Sequence, residues 1–205
     1  GHFEHNEQSV RIFSVLTNNG QGLNLTQEVL DGILHHTGDG IPRTLEGQIV
    51  KIGDRIAYLC HDYDDAIRAG LIKPEEIPAP VREVLGCTTS QMITTMVVDM
   101  IETSKDQDRI ALSLKVAEAM QVFRDFMFER VYLSDALKEE RRKGKLIVEI
   151  LFEHYMKYPE FLPENYLEWA EGDRQRAVVD YISGLTDNYA ITTFKRFFIP
   201  RDRFA

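Results

Sequence analysis

The stretch DRIAYLCHD at residues 54–62, continued by YDDAIRAG to Gly70, sets an aspartate, an arginine, a tyrosine and a second aspartate at 54, 55, 58 and 62 of one otherwise apolar run. On an α-helix four residues turn through about 400°, so positions 54, 58 and 62 drift by only about 40° per step and line one side. Asp54 and Asp62 then lie about 12 Å apart along the axis, too far to share one metal ion. Asp54 stands between Ile52 and Ile56, and a carboxylate in apolar surroundings wants a cation, a hydrogen-bond donor or a proton. Arg55 offers charge suited to a phosphate, and Tyr58 a hydroxyl donor beside it. An exposed polar face with Asp–Arg pairs satisfies the same spacing, so periodicity alone leaves both readings open. Ile56, Leu59 and Tyr63 point in other directions that can reach a core.

A second group opens the chain. In GHFEHNEQS, His5 and Asn6 lie just before a helix, where an imidazole can reach into a cleft and free N–H groups favour anions. A helix cap by Asn6 with a surface histidine explains the same residues. His35 and His36 suit a helix C-terminus, which favours positive charge. Near the other end, Asp180, Tyr181, Asp187 and Tyr189 recur at helical spacing, and Lys195 and Arg196 either meet phosphate or cap a last turn. The CHD at 60–62 lacks metal-site spacing partners, and DYDD lacks the glycine and distal glutamate of a calcium loop. No glycine-rich phosphate loop, GxSxG or HExxH occurs.

The chain that must position these residues has 205 residues, 43% of them hydrophobic and 28% charged, which suits a folded globular protein with a real core. A net charge of −9 argues against a protein that coats nucleic acid, while leaving room for a local basic pocket for a small polyanion. No apolar run approaches 18 residues, so no membrane span is expected. The opening residues lack the basic-then-apolar layout of a signal peptide, so a cytoplasmic location is expected, with Cys60 and Cys87 as free thiols.

Apolar residues recur at three and four almost throughout, and strand-like alternation is hard to find: the fold class is all-α. EQSVRIFSVLTNN carries Val10, Phe13 and Leu16 on one stripe and stops at NNGQG. Helix 26–37 follows, then one from Thr44 to Gly70 with a kink expected at Gly53. LIKPEEIPAPVREVLG holds three of the seven prolines and reads as the internal boundary, giving regions 1–73 and 74–205. Helical segments continue to the end, and RQRAVVDYISGLTDNYAITTFKRFF reads as one last helix.

FEHNEQSVRI, NLTQEVLDGIL, TLEGQIV, DRIAYLCHDYDDAIRAG and VVDYISGLTDNYA occur in that order. Together they resemble the deoxyguanosinetriphosphate triphosphohydrolase-like proteins of the HD-domain superfamily, along essentially the whole chain. The resemblance implies an all-α, multi-helix HD-type bundle, with the C-terminal part of the catalytic domain at 1–73 and a helical lobe at 74–205. It implies the reaction dNTP + water → deoxynucleoside + triphosphate, with a divalent metal (Mg, Mn or another first-row ion) activating water. In this family the metal is held by a histidine, a His-Asp pair and a later aspartate, which Asp54 matches. Arg55 matches a residue at the triphosphate, Tyr58 one at the phosphates and sugar, and Asp62 the acceptor of the deoxyribose 3′-hydroxyl. His5 matches a catalytic histidine at the α-phosphate, with Asn6 beside it. Tyr181, Asp187 and Lys195 match a segment that closes over the nucleotide or an adjacent effector site. A homo-oligomer and single-stranded DNA as an effector are also implied.

The match is incomplete in two places. The only His-Asp pair here, His61-Asp62, follows Asp54 instead of preceding it. The pattern's own histidine and His-Asp pair belong upstream of FEHN, so the chain reads as the C-terminal portion of a longer protein, inactive and without metal by itself. Asn188 also stands where many relatives carry arginine. A degenerate relative that senses deoxynucleotides or single-stranded DNA without hydrolysis is the alternative.

Overall fold

The structure, a computed structural model, describes residues 2–200. Among these there is no strand. The helices are α1 (His5–Arg11), α2 (Gln27–His35), α3 (Leu45–Arg68), α4 (Ala79–Val84), α5 (Thr89–Ser104), α6 (Leu114–Met127), α7 (Asp135–Lys157), α8 (Asn165–Trp169), α9 (Arg174–Ser183) and α10 (Asp187–Phe198). Wider π turns extend α1 through Ile12–Leu16 and α6 through Phe128–Tyr132.

The packing separates into two units: Gly1–Leu25 with Glu139–Ala205, and Thr26–Lys138. The proline-rich stretch expected to divide the chain lies inside the second of these. Its Ile72, Ile77, Val81 and Leu85 are buried in the same core as α3, α5 and α6. The prolines start short helical turns at Pro74–Glu76 and Ala79–Val84, positions where a missing N–H costs nothing.

In the second unit, α3 is set by its ends and by one stripe. Thr44 caps its N-terminus by accepting from Gly47 N at 3.1 Å. At the other end Gly70, with φ +71, lets Leu71 N reach Ala66 O and Gly70 N reach Ile67 O, both at 2.9 Å, which satisfies carbonyls that would otherwise be left open. Ile56, Leu59, Cys60, Tyr63 and Ala66 form the buried stripe, and α3 runs through Gly53 as a single helix with no break. Gly47 is needed for close contact: a Cβ there would lie 2.7 Å from Pro42 Cβ and 3.4 Å from Gly32 Cα on α2. Burial pushes the Cys60 thiol up to about 12, with Asp64 adding to the shift, so this thiol is inert, while Cys87 is exposed.

In the first unit, Leu151 and Tyr155 of α7, Ala177, Val178 and Tyr181 of α9, and Leu162 form the core. His154 lies against Phe197 at 4.2 Å between ring centroids and stacks on Phe161 at 5.4 Å; burial holds its pKa below the ordinary histidine value. The single helix expected over 174–198 is two. Gly184 ends α9, and Thr186 starts α10 by accepting from Tyr189 N at 3.3 Å. The threonine cap competes with the helix interior and wins because the glycine before it contributes little to continuing the helix.

A charged pair in this unit is buried on its acidic side. Asp180, whose side chain is fully enclosed, accepts from Arg11 Nε and Nη2 at 2.9 and 2.7 Å and from Gln8 Nε2 at 2.9 Å. Arg11 also donates to Trp169 O at 3.1 Å. Removing one charge from such a pair strands the other, at about 3 kcal/mol or more, whereas replacing both by apolar groups costs far less. Asp180→Asn is therefore expected to lower stability by about 3 kcal/mol. The double variant Arg11→Met/Asp180→Leu is expected to recover most of it. Urea titration followed by fluorescence of Trp169, the sole tryptophan, measures both; equal losses in the single and double variants would contradict the pairing.

Candidate functional site

The expected site residues divide between the two units. His5 and Asn6 lie in the first turn of α1, inside the helix and not ahead of it. Glu4 occupies the cap position without a side-chain bond, so Asn6 does not cap. His5 is exposed and Asn6 half-buried. Tyr181 is buried on α9, where burial and hydrogen bonding with Tyr189 and Tyr155 push its phenol up. Asp187 begins α10 and Lys195 sits in its last turn, both exposed.

The α3 residues belong to the second unit. Asp54 is exposed, against the expectation of an apolar setting. The reason is geometric: Ile52 and Ile56 are two residues away on either side, about 200° around the helix, so apolar neighbours in sequence face away from it. Arg55, Tyr58 and Asp62 follow the spacing i, i+3, i+7, which keeps them on one stripe about 10 Å long. Arg55 is exposed, while Tyr58 and Asp62 are half-buried. The polar face thus runs from an open cationic end to a partly enclosed acidic end.

The enclosed end has a partner that the spacing did not reveal. Tyr132, in the π turn after α6, donates its hydroxyl to Asp62 Oδ2 at 2.6 Å. Burial pushes the Tyr132 phenol up, and the Asp62 bond and charge push it further, so it remains a protonated donor. The contact joins positions 70 apart in sequence; nothing periodic announces it. The Tyr132 ring is held edge-on to Phe128, with centroids 5.1 Å apart.

Two further contacts fix α6. Ile110 N donates to Gln48 Oε1 on α3 at 3.0 Å. Ser113, the α6 cap, gives its N and Oγ to the two oxygens of Asp99 on α5 at 2.8 and 2.6 Å. At the open end, Ile52 and Arg55 of α3 face Leu112, Ala117, Met120, Gln121 and Arg124 across a groove of about 290 Å³. Lys51 is turned away, donating to the carbonyls of Gly38 and Gly40. Burial lowers its pKa, and the charge of Arg55 lowers it further.

Among the described residues no group of three His, Cys, Asp or Glu side chains converges to hold a metal ion. Asp54 offers one carboxylate, and tight binding of a resident ion takes three or four protein ligands. The donor set present does not by itself fit a held metal. Among the described residues no helix is long and apolar enough to cross a membrane.

Similarity to known proteins supplies the family. A deoxyguanosinetriphosphate triphosphohydrolase-like protein of Caldanaerobacter subterraneus subsp. tengcongensis is 45% identical over 201 residues, which is 98% of this chain and 59% of the relative. One from Clostridium perfringens is 41% identical, covering 98% of this chain and 62% of its own length. The chain belongs to the deoxyguanosinetriphosphate triphosphohydrolase-like family. A Geobacter metallireducens member is 31% identical over 256 residues, 99% of this chain. The family model described as a phosphohydrolase-associated domain (HD_assoc) matches residues 110–196, from just before α6 into the last turn of α10. The chain spans about three fifths of the length of the first two relatives. The family's all-α HD-type architecture agrees with the helices described.

The Asp62–Tyr132 bond has a measurable consequence. Tyr132→Phe keeps the ring against Phe128 and removes only the donor to a half-buried carboxylate, a change of about 1.5 kcal/mol or more for a hydrogen bond to a charged group. Faster amide exchange is expected at α3 residues 59–63, and a lower urea midpoint with an unchanged slope. Unchanged exchange at those residues would show that the hydroxyl does not hold α3.

Proposed function

We propose that α3, with α6 facing it, forms the wall that holds a deoxynucleoside triphosphate for hydrolysis to deoxynucleoside and triphosphate. The observation that carries this reading is the order of groups on α3. A phosphate-seeking guanidinium (Arg55), a phenol (Tyr58) and a hydroxyl-accepting carboxylate (Asp62) lie along one stripe of about 10 Å, the scale of a sugar bearing a phosphate chain. Asp62 already accepts a hydroxyl hydrogen, from Tyr132, and a deoxyribose 3′-hydroxyl asks for the same kind of bond through Oδ1. The printed names of the family's members, triphosphohydrolase-like, support the substrate class. In this reading Arg55 binds the phosphates, Tyr58 packs beside the sugar, and Asp62 selects the 3′-hydroxyl. Asp54 would offer one ligand to a divalent ion, Mg or Mn.

Two measurements test this. By calorimetry, the chain is expected to bind dGTP about tenfold more tightly than 2′,3′-dideoxyGTP, the worth of one charge-assisted hydrogen bond. Asp62→Asn is expected to erase the difference; equal affinities in the unsubstituted chain would refute the sugar assignment. Because Asp54 stands without co-ligands among the described residues, triphosphate release with Mn²⁺ or Mg²⁺ is expected at background for this chain alone. Turnover that Asp54→Ala abolishes would contradict that expectation. A deoxynucleotide-binding role without hydrolysis is the second reading, and the same missing co-ligands favour it for these residues taken alone.

Self-association belongs to the same proposal. Leu45, Ile49 and Val50 on α3 are apolar and 40%, 44% and 56% exposed, and contiguous exposed apolar surface favours association. Light scattering coupled to size exclusion is expected to give a mass above 23.6 kDa; a clean monomer across micromolar concentrations would exclude it.

A further inference from the structure

His154 on α7 is a titratable group that the nucleotide reading does not use. Its ring lies within 5.6 Å, centroid to centroid, of Tyr155, Tyr158, Phe161 in the turn Pro159–Phe161, and Phe197 and Phe198 in the last turn of α10. Phe197 is the nearest of these, at 4.2 Å. Nε2 is enclosed and has no hydrogen-bond partner among the described residues. A neutral imidazole tolerates this by keeping its proton on Nδ1, at the cost of one unmet acceptor. A charged imidazole carries an N–H on both nitrogens. Its Nε2–H would then point into apolar rings with neither water nor an acceptor, which costs far more.

The charges around the ring decide which of its covers gives way. Aromatic faces attract cations, but Lys157 already lies over Tyr158 at 5.1 Å and Arg196 over Phe197 at 4.6 Å. Lys195 and Arg196 both stand in the last turn of α10. Arg174 of α9 donates to Met156 O at 3.3 Å, and Glu153 on α7 is exposed. Burial pushes the phenols of Tyr155 and Tyr181 up, so both stay neutral. Glu160, in the turn that carries Phe161, favours a charged imidazole. Burial opposes that charge and is the larger influence. A charged ring therefore attracts the turn at 159–161 and repels the last turn of α10. The first turn is also anchored by buried Leu162, whereas Phe198 and Ile199 at the end of α10 are exposed.

We propose that His154 is a proton-operated latch for the end of α10: the neutral ring holds Phe197 and Phe198 in place, and uptake of a proton from solvent frees that turn while α7 and α9 stay packed. Because the docked state disfavours the proton, docking is complete above the ordinary histidine value of about 6.5 and weakens as pH falls below it. The latch lies within one packing unit and stands independently of the nucleotide reading. Amide exchange of the whole chain, corrected for the intrinsic rate, tests it about one pH unit above and about one below that value. Protection at residues 195–198 is expected to fall about fivefold at the lower pH, against a ceiling of about tenfold for one histidine over that interval. Residues 177–181 of α9 are expected to keep theirs. His154→Phe supplies a ring that does not titrate and is expected to abolish the pH dependence at 195–198. A ¹³C titration of the His154 ring, identified by its cross-peaks to Phe197, needs no variant, and its midpoint is expected below the ordinary value. A midpoint at or above that value overturns the latch. Equal protection at the two pH values overturns it as well, as does a loss that persists in His154→Phe. A loss spread evenly over α9 and α10 is acid unfolding of the whole unit and also refutes the latch.

Discussion

The buried stripe of α3 is the constraint on which the site depends. Ile56, Leu59, Cys60, Tyr63 and Ala66 are almost completely enclosed, with Tyr63 set edge-on to Phe123 of α6 at 5.5 Å between centroids. A helix so locked has no freedom to roll. Moving the stripe by one residue means a rotation of about 100°, which would drive Asp62 or Arg55 toward the core, where an unpaired charge costs several kcal/mol. The same burial that stabilises the unit therefore aims Arg55, Tyr58 and Asp62. Because position i+7 returns nearly to the direction of i, the cation and the acid are aimed alike although two turns separate them.

The π turn at Phe128–Tyr132 is what brings the second wall into register. Leu133 N donates to Phe128 O at 2.9 Å, five residues back instead of four. The extra residue in that turn widens it and resets the direction of everything after Met127. Met127 and Val131 remain buried while Tyr132 meets α3. A regular helix would have carried the 3.6-residue period through this segment and set Tyr132 on a different bearing. The contact with Asp62 is thus made by an irregularity, not by the periodic pattern.

That difference explains what was legible in the sequence. Amphipathic spacing made the α-helical class plain, and Thr26, Thr44 and Gly70 marked helix ends that the structure repeats. Local rules did less well where two signals competed. Gly184 and Thr186 split what apolar spacing joined, and the prolines of 74–80 looked like a boundary although Ile72, Ile77 and Val81 tie that segment into the core. For the proposed site, one wall could be read from the sequence because α3 carries its groups at helical spacing. The other wall was not, because Arg124 and Tyr132 reach α3 only through tertiary packing. Asp54 shows the opposite error. Its sequence neighbours are apolar, but a helix sends residues two apart to nearly opposite sides, so linear context misjudged its exposure.

The two carboxylates of α3 differ in environment, and this separates their work. Asp54 is exposed and keeps its water, the setting in which a carboxylate exchanges water for a cation at little cost. Asp62 is half-buried and has lost part of its water, so its charge needs a donor, and Tyr132 supplies one to Oδ2. The remaining oxygen stays fixed in direction by that bond. A carboxylate held in this way favours a ligand hydroxyl arriving along one line, and it discriminates more sharply than a freely turning one because its orientation is set before the ligand binds. The proposed division, one acid for an ion and the other for a hydroxyl, draws on this difference in packing.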